Sequence, residues 1–195
     1  VGRKIALITD THYGVRKGSQ LFHEYFQRFY EDTFFPFLDS NDVDTVVHLG
    51  DVYDSRKGID YWSLDWSKRV VFDELKKRNI KTYLIVGNHD IYYRNSLKLN
   101  SLRVNLREYD NLVIVDEPQT LDGIFMVPWI CEHNAEEFTE QLDASTAKWC
   151  MGHLEMAGFY ANKDYKCDHG TDPKIFSKFN KVFSGHFHKK SSKGN

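Results

Sequence analysis

Short apolar segments rich in β-branched residues recur along the chain, and their length predicts buried strands rather than helices. The predicted strands cover residues 4–9, 44–49, 81–86, 112–115, 123–127, 148–152 and 181–184. Each segment is followed by a polar or glycine-containing stretch, where we expect the chain to leave the sheet. The pattern indicates a sheet protein whose loops carry most of its polar side chains.

Two of the intervening segments show helical periodicity. The first is expected to end near Pro36, and its apolar stripe is formed by Leu21, Phe22, Tyr25, Phe26, Phe29 and Tyr30. The second covers residues 63–79, with apolar Val71, Phe72 and Leu75 on one side and Lys68, Lys76 and Lys77 on the other. Strands that alternate with helices predict an α/β layered domain with right-handed crossovers. The close spacing of the strands between residues 112 and 127 predicts a second sheet or an antiparallel extension.

Composition narrows the class of protein. The chain has 195 residues, of which 41% are hydrophobic and 28% charged, with a formal net charge of −2. These values fit one folded domain and exclude disordered, collagen-like and coiled-coil proteins. The near-neutral charge argues against a protein that coats nucleic acid through overall basicity, although a local patch stays possible. An acidic run at residues 132–143 and a basic run at residues 174–195 are each interpreted as solvated surface.

The sequence also favours a reducing compartment. It contains neither an apolar stretch long enough to span a membrane nor a secretory signal pattern. Its three cysteines, Cys131, Cys150 and Cys167, lack CxxC spacing and cannot form a closed disulfide framework. We therefore expect a cytoplasmic protein.

Polar clusters follow five of the predicted strands. They are Asp10-Thr11-His12, then residues 50–54 (Gly-Asp-Val-Tyr-Asp), residues 87–90 (Gly-Asn-His-Asp), Gly152-His153, and residues 185–188 (Gly-His-Phe-His). Ligands bind at the carboxyl ends of strands in open α/β sheets, so these clusters are expected to meet at one edge. Their oxygen and imidazole donors, without cysteine, suit Mn, Fe or Zn better than a thiolate or all-oxygen site.

These five clusters together resemble the signature of the calcineurin-like metallophosphoesterases, D-x-H, G-D-x-x-D, G-N-H-[DE], G-H and G-H-x-H. The resemblance spans residues 4–188. Within that superfamily, residues 50–57, 128–132, 158–160 and 184–188 are most similar to SbcD-type DNA repair nucleases, especially the recombination endonuclease subunits of T-even phages. The family fold implies a four-layer αββα sandwich of two mixed sheets flanked by helices.

The resemblance implies specific roles for the motif residues. One divalent ion would be bound by Asp10, His12, Asp51 and His188, and a second by Asp51, Asn88, His153 and His186. Mn²⁺ is the expected metal, with Mg²⁺, Fe²⁺ or Zn²⁺ as alternatives, and a metal-activated hydroxide would attack the phosphodiester. His89 would contact the phosphate and serve as general acid, while the Asp54 carboxylate would accept the other ring proton of His89. Asp90 is left open between a functional and a purely structural role.

Other residues are assigned by their place relative to the motifs. His48 is interpreted as a core residue or as a residue behind the ligands, and His23 and His133 as solvated. His169 is not expected to touch the substrate. Basic and tyrosine side chains close to the motifs are candidate DNA contacts, namely Arg56, Lys57, Tyr93 and Arg94, with Arg16, Lys17 and Tyr92 also near.

The leading hypothesis is a two-metal DNA exonuclease and endonuclease for recombination and processing of double-strand-break ends. By resemblance its partners would be DNA and an SbcC-like SMC-type ATPase, and it would be a homodimer in the cytoplasm, that of the host if phage-encoded. The alternatives are a small-molecule phosphodiesterase or phosphatase and a noncatalytic subunit that binds DNA ends. Because family nucleases continue beyond the fifth motif, we expect residues 1–195 to be a truncated nuclease domain without its last strands, capping domain and ATPase-docking segment.

Overall fold

Two four-stranded sheets and a short hairpin form the framework of the chain. The structure is a computed structural model and describes residues 3–161 and 165–192. Within these residues the strands are β1 (Ile5–Ile8), β2 (Thr45–His48), β3 (Lys81–Ile85), β4 (Ile91–Tyr93), β5 (Ser96–Asn100), β6 (Leu112–Val115), β7 (Gln119–Leu121), β8 (Ile124–Val127), β9 (Trp149–Gly152) and β10 (Lys181–Ser184).

The helical segments lie between these strands. They are α1 (Val15–Gly18), α2 (Gln20–Phe29), α3 (Phe35–Ser40), α4 (Tyr61–Ser67), α5 (Asp73–Lys77), α6 (Ser101–Asn105) and α7 (Ala135–Ala144), with a 3₁₀ turn at Pro173–Phe176. Five-residue π-helical turns join α2 to α3 (Tyr30–Phe34) and α4 to α5 (Lys68–Phe72). No helix in the described ranges is long and apolar enough to cross a membrane.

The two sheets differ in strand direction. The first has the order β1-β2-β3-β6, and all its described pairs are parallel. The second has the order β10-β9-β8-β7, in which β7 alone runs antiparallel to its neighbour. The expectation of two mixed sheets is therefore corrected for the first sheet. Its strands are joined by crossovers that return the chain to the same end, whereas the short turn between β7 and β8 forces an antiparallel pair.

Three apolar clusters fill the spaces between four layers. One lies between the sheets and includes Val47 and Ile85 of the first sheet and Met126 and Met151 of the second. A larger cluster covers the outer face of the first sheet with α2 to α5, and a third packs α7 against the outer face of the second sheet. The layer order is helix, sheet, sheet, helix, as the family resemblance implies.

The first predicted helix continues past Pro36. Proline has no backbone N–H and ends a regular helix when it falls in the interior. Here a π-turn precedes it and the N–H of Phe35 donates to the carbonyl of Tyr30, so that Pro36 lies in the first turn of α3. The expected stop at Pro36 is therefore wrong, because a local change of helix type accommodates the ring.

The seven predicted strands are all present, with ends that differ by at most one residue. The sequence pattern did not predict the β4–β5 hairpin, β7, α6 or α7. β4 and β7 have three residues each, which is too few for a period to show, whereas the alternation of polar and apolar residues in β5 (Ser-Leu-Lys-Leu-Asn) is present in the sequence and was missed. In α7 the acidic residues form the exposed side, as expected for a solvated run, while Phe138 and Leu142 are buried.

Candidate metal centre

All five polar clusters lie at the carboxyl ends of strands. Asp10 and His12 follow β1, Asp51 follows β2, and Asn88 follows β3 in the first sheet. The histidine motifs follow β9 and β10 in the second sheet. The two sheets pack so that these ends share one rim of the sandwich, which brings residues 176 positions apart into contact through the hydrogen bond from the His186 N–H to Asp10.

One group of donors is formed by Asp10, His12 and His188, whose nearest ligand atoms all lie within 4.8 Å of one another. The Nε2 atoms of His12 and His188 are 3.2 Å apart, and His188 Nε2 is 3.5 Å from Asp10 Oδ1. His12 Nε2 also lies 3.8 Å from Asp51 Oδ2. The geometry thus brings the four residues of the first expected ligand set together.

A second group contains Asp51, His153 and His186. His153 Nε2 lies 3.3 Å from Asp51 Oδ2, and Asn88 Oδ1 is 3.0 Å from both His153 Nε2 and His186 Nδ1. Asp51 therefore adjoins both groups. The second expected ligand set is also brought together, with His186 presenting its Nδ1 atom.

The donor chemistry fits divalent ions. Burial lowers the pKa of His186 to about 4 and also lowers the pKa of His12, so both imidazoles are neutral at pH 7 and keep a lone pair for a metal. Burial alone would raise the pKa of Asp51, but the neighbouring His153 outweighs it and holds that pKa well below its usual range. Carboxylates, an amide oxygen and neutral imidazoles are together suited to two Mn-, Fe- or Zn-type ions.

Close backbone approach explains two of the motif glycines. A Cβ atom on Gly87 would lie 2.2 Å from Asp51 Oδ1, and one on Gly50 would lie 2.3 Å from His153 Nδ1. Gly50 also has φ of 104°, which side chains rarely adopt. A larger residue at either position would displace a donor.

The backbone is strained at several donor residues. Asp10, His12, Asp51 and His186 have φ of 51°, 46°, 55° and 84°, in the left-handed region that disfavours residues other than glycine. Such strain persists only where the surrounding structure fixes it, and it is concentrated at functional sites. Here the strained bends turn the side chains toward the rim.

Asp90 fixes the loops that carry two of the donors. Its fully buried carboxylate accepts hydrogen bonds from the backbone N–H groups of Gly87, Asp51, Val52 and Tyr53, at 2.9 to 3.4 Å. Burial and the charge of Asp51 raise the pKa of Asp90 to about 7. The sequence left its role open; the structure shows that it ties the second motif to the third.

His89 lies beside both donor groups, and its backbone N–H donates a hydrogen bond to Asp51 Oδ1 at 2.8 Å. Its ring Nδ1 is 2.6 Å from the backbone carbonyl oxygen of Asp54. The expected contact with the Asp54 carboxylate is thus replaced by one with the main chain, while Asp54 Oδ1 lies 3.5 Å from His12 Nδ1. The reason is that the turn after β2 points the carbonyl at His89. Since a carbonyl only accepts, Nδ1 carries the proton and Nε2 is left for other partners.

The other histidines separate into buried and exposed. His48 is buried, as expected, and its Nε2 lies 3.0 Å from Thr11 Oγ1 behind the donors. His23, expected to be solvated, is fully buried between Trp62 and Trp66, because aromatic residues from α4 pack over that face of α2. His133 and His169 are exposed. The loop of His169 includes residues 162–164, which lie outside the described residues, as does Lys193 of the basic run.

Candidate DNA contacts flank the rim. Arg56 is half-buried, and burial and the charge of Arg94 lower its pKa. Its Nη1 atom is buried without a hydrogen-bond partner among the described residues. Lys57 and Arg94 are exposed, and the exposed rings of Tyr92 and Tyr93 pack edge to face. These groups are available to an anionic ligand.

A groove beside the first donor group was not predicted from the sequence. It has a volume of about 570 Å³ and shares Asp10, His12 and His188 with that group. Its other wall is formed by Phe22, Phe26 and Phe29 of α2. Sequence periodicity indicated an apolar stripe here, but only the packing shows that part of it remains uncovered.

Two known proteins are similar to this chain, one in sequence and one in structure. The chain is 36% identical over 159 residues to Exonuclease subunit 1 of Enterobacteria phage T4, a match that covers 80% of this chain and 46% of the phage protein. The chain therefore spans less than half of that relative. A nuclease MPE from Pseudomonas putida is structurally similar, with a TM-score of 0.41 and 24% identity over 64% of this chain and 53% of that chain.

A family model described as calcineurin-like phosphoesterase matches residues 3–190. That range contains all five polar clusters and both groups of donors. The chain belongs to the calcineurin-like phosphoesterase family.

Proposed function

We propose that this chain is a two-metal phosphodiesterase that hydrolyses DNA. The observation that carries the proposal is the position of Asp51, which belongs to the second group of donors and whose Oδ2 also lies 3.8 Å from His12 Nε2 of the first. A carboxylate in that position is suited to bridge two ions, as in enzymes that hydrolyse phosphate esters. The exonuclease name of the phage relative supports DNA as the substrate.

The ligand sets follow from the two groups. Asp10, His12, Asp51 and His188 would hold one ion, and Asp51, Asn88, His153 and His186 the other, with Mn²⁺ as the proposed metal. When bound, such a pair of ions supplies Lewis-acid stabilisation of the phosphate and an activated water. The chain contributes a rigid frame: Leu49 accepts a hydrogen bond from His153 Nδ1 at 2.8 Å and so aims Nε2 at the centre.

His89 is the proposed general acid. The carbonyl of Asp54 accepts the Nδ1 proton of His89, so the imidazolium form of His89 carries a second proton on Nε2. That proton can be donated to the phosphate or transferred to the leaving oxygen, which leaves a neutral imidazole protonated on Nδ1. Asp54 also contacts His12 and thereby links the acid to the first ligand set. Asp54 is therefore proposed as a positioning residue that acts on His89 through its main chain.

Positive side chains at the rim are proposed to contact the DNA backbone. Arg56 has a buried, unpartnered nitrogen among the described residues, and Arg94 is close enough for its charge to act on Arg56. Two guanidinium groups that repel each other would be stabilised by a phosphate between them. Lys57 would add a further phosphate contact, and Tyr93 would stack on a base.

The wider role is proposed by analogy with the phage relative. Its name describes a subunit, which supports a protein partner. We propose a role in recombination and double-strand-break processing, with an SbcC-like ATPase as the partner, assembly as a homodimer, and action in the cytoplasm of the host.

The test is Mn²⁺-dependent degradation of end-labelled DNA by the wild-type chain and by Asn88→Ala and His89→Ala variants. Both variants should lose at least about 100-fold in rate, since each lacks a ligand or the acid. His133→Ala, at an exposed position that belongs to neither group of donors, is the control and should retain wild-type activity. Hydrolysis of mononucleotide esters without any attack on DNA would instead identify a small-molecule phosphodiesterase. Failure to bind any divalent ion would favour the noncatalytic alternative.

A further inference from the structure

The groove between α2 and the metal centre has two walls of different chemistry. Asp10, His12, His89 and His188 form part of the polar wall, and α2 supplies aromatic rings to the other. A phosphodiester bound at the polar wall would extend a neighbouring nucleoside along the groove. Its volume of about 570 Å³ lies within the range of sites that bind small ligands.

The aromatic wall is a regular feature of α2. Phe22, Phe26 and Phe29 are spaced by four and three residues, so their side chains share one face of the helix. The rings of Phe22 and Phe29 are 40% and 44% exposed, although two phenylalanines in an ordinary fold would be buried. Leu21 and Tyr25 are also exposed but do not line the groove.

Positive charge accompanies this wall. Arg16 and Lys17 are exposed in the turn that leads from the first motif into α2, and neither forms an ion pair with another described residue. Cationic side chains together with exposed aromatic rings are the combination by which proteins bind single-stranded nucleic acid. An uncharged apolar ligand would leave both the cations and the polar wall without a partner.

We propose that Phe22 and Phe29 stack on an unpaired nucleobase of the DNA strand whose phosphodiester lies at the metal centre. The inference rests on the proposed function and adds a preference for single-stranded or frayed DNA. A base within a duplex is already stacked on both faces and cannot enter the groove, so strand separation is needed first.

The experiment measures binding rather than cleavage. Single-stranded phosphorothioate oligonucleotides, each with one 2-aminopurine at a different position, are titrated with the Mn²⁺-loaded protein. Stacking on a ring should quench the fluorescence at one position. A Phe22→Leu/Phe29→Leu double variant should lose that quenching and bind roughly tenfold more weakly, because leucine keeps the apolar surface without the ring face. Tyr25→Leu removes a ring outside the groove and should bind as wild type.

An abasic oligonucleotide completes the test. The wild type should bind it about tenfold more weakly than intact DNA, and the double variant should no longer distinguish the two. Equal weakening on both substrates, unchanged binding by the double variant, or a change in its oligomeric state would overturn the inference. The last result would show that a second copy of the chain covers the wall. Manganese content and circular dichroism establish that the variants are folded.

The results also separate this inference from the proposed function. Quenching by the wild type without hydrolysis of unmodified DNA supports the stacking site and contradicts the nuclease. Hydrolysis of DNA that does not depend on Phe22 or Phe29 supports the nuclease and overturns the stacking site.

Discussion

Carboxylates lie at both ends of the strands, but their neighbouring side chains differ. At the amino ends, Asp122 Oδ2 accepts from Arg3 at 2.7 Å, Lys81 at 3.1 Å and Tyr83 at 2.6 Å. At the carboxyl ends, the basic side chains within 4 Å of Asp10 and Asp51 among the described residues are the histidines His12, His153 and His188. Asp122 and its cations are partly exposed, whereas Asp51 is buried.

The difference separates a structural ion cluster from the proposed metal centre. Asp122 is neutralised by the chain itself, so nothing further is needed at that end. At the other end, Asp51 outweighs burial and raises the pKa of His153. Burial lowers the pKa of His12 and His186, so those two imidazoles are neutral at pH 7. The charge of two carboxylates is therefore only partly balanced by the chain, and bound cations would balance the rest. A comparison of the two ends therefore predicts which substitutions change metal binding and which change only local packing.

The largest effect on stability is expected from Asp90→Ala. The substitution leaves four buried backbone N–H groups without their acceptor. We expect the free energy of unfolding to fall by at least about 3 kcal/mol and manganese affinity to fall with it. Urea unfolding and metal titration measure the two quantities. Asp90→Asn keeps one acceptor oxygen and should lose less, so equal losses in the two variants would contradict the proposed role.

Bound metal should raise the free energy of unfolding through the donors at the carboxyl ends of the strands and not through the Asp122 cluster at the amino ends. At a Mn²⁺ concentration 100 times the dissociation constant, the wild type should gain about 2.7 kcal/mol, which a chelator removes. Asp51→Asn should abolish that gain because the second group loses its carboxylate and the first loses the carboxylate beside His12. Asp122→Asn should keep it, since Asp122 lies at the opposite end. Thermal unfolding with and without Mn²⁺ measures the stabilisation in each variant. If Asp122→Asn also lost the Mn²⁺-dependent stabilisation, the proposed difference between the two ends would be wrong.

A smaller effect is expected from pH. Burial lowers the pKa of His48 to about 4 from 6.5, so below pH 6.5 the unfolded chain takes up a proton that the folded chain does not. The free energy of unfolding should therefore decrease as pH falls from 6.5 toward 4, by roughly 2 kcal/mol between pH 7 and pH 5 from this residue.

A His48→Gln variant isolates the contribution of His48 to the pH dependence of stability. Its unfolding free energy, measured in urea on the metal-free protein, should fall less steeply with acid than that of the wild type. Asp122→Asn is the matched control, because an exposed cluster contributes little and should leave the slope between pH 7 and pH 5 unchanged. Parallel curves for wild type and His48→Gln would show that His48 is not the buried neutral group described.

Much of the fold and the metal centre was predictable because both depend on local patterns. A buried strand needs a short apolar run, and the polar residues that follow it mark where the chain leaves the sheet. For example, residues 44–49 predicted β2, and Asp51 after it was predicted to bind metal. The geometry brings Asp51 beside both groups of donors; its role as a ligand stays a prediction.

Two of the failures concern contacts between distant segments, and one concerns a local change of helix type. His23 looks like a solvated histidine in a helix, but Trp62 and Trp66, about forty residues away, bury it. Pro36 normally ends a helix, and only the π-turn before it allows α3 to continue. Asp54 was assigned a contact through its carboxylate, although the bend of its loop presents the carbonyl instead.

The sequence alone determined seven of the ten described strands, the order of the polar clusters and the chemical types of the donors, because each depends on a few consecutive residues. The tertiary structure decided that Asp51 adjoins two groups of donors, that Asp90 ties two motif loops together, and that the rings of Phe22 and Phe29 remain uncovered beside the metal centre. Each of these depends on the packing of two sheets and a helix, and the distances between their residues are not encoded in any single segment.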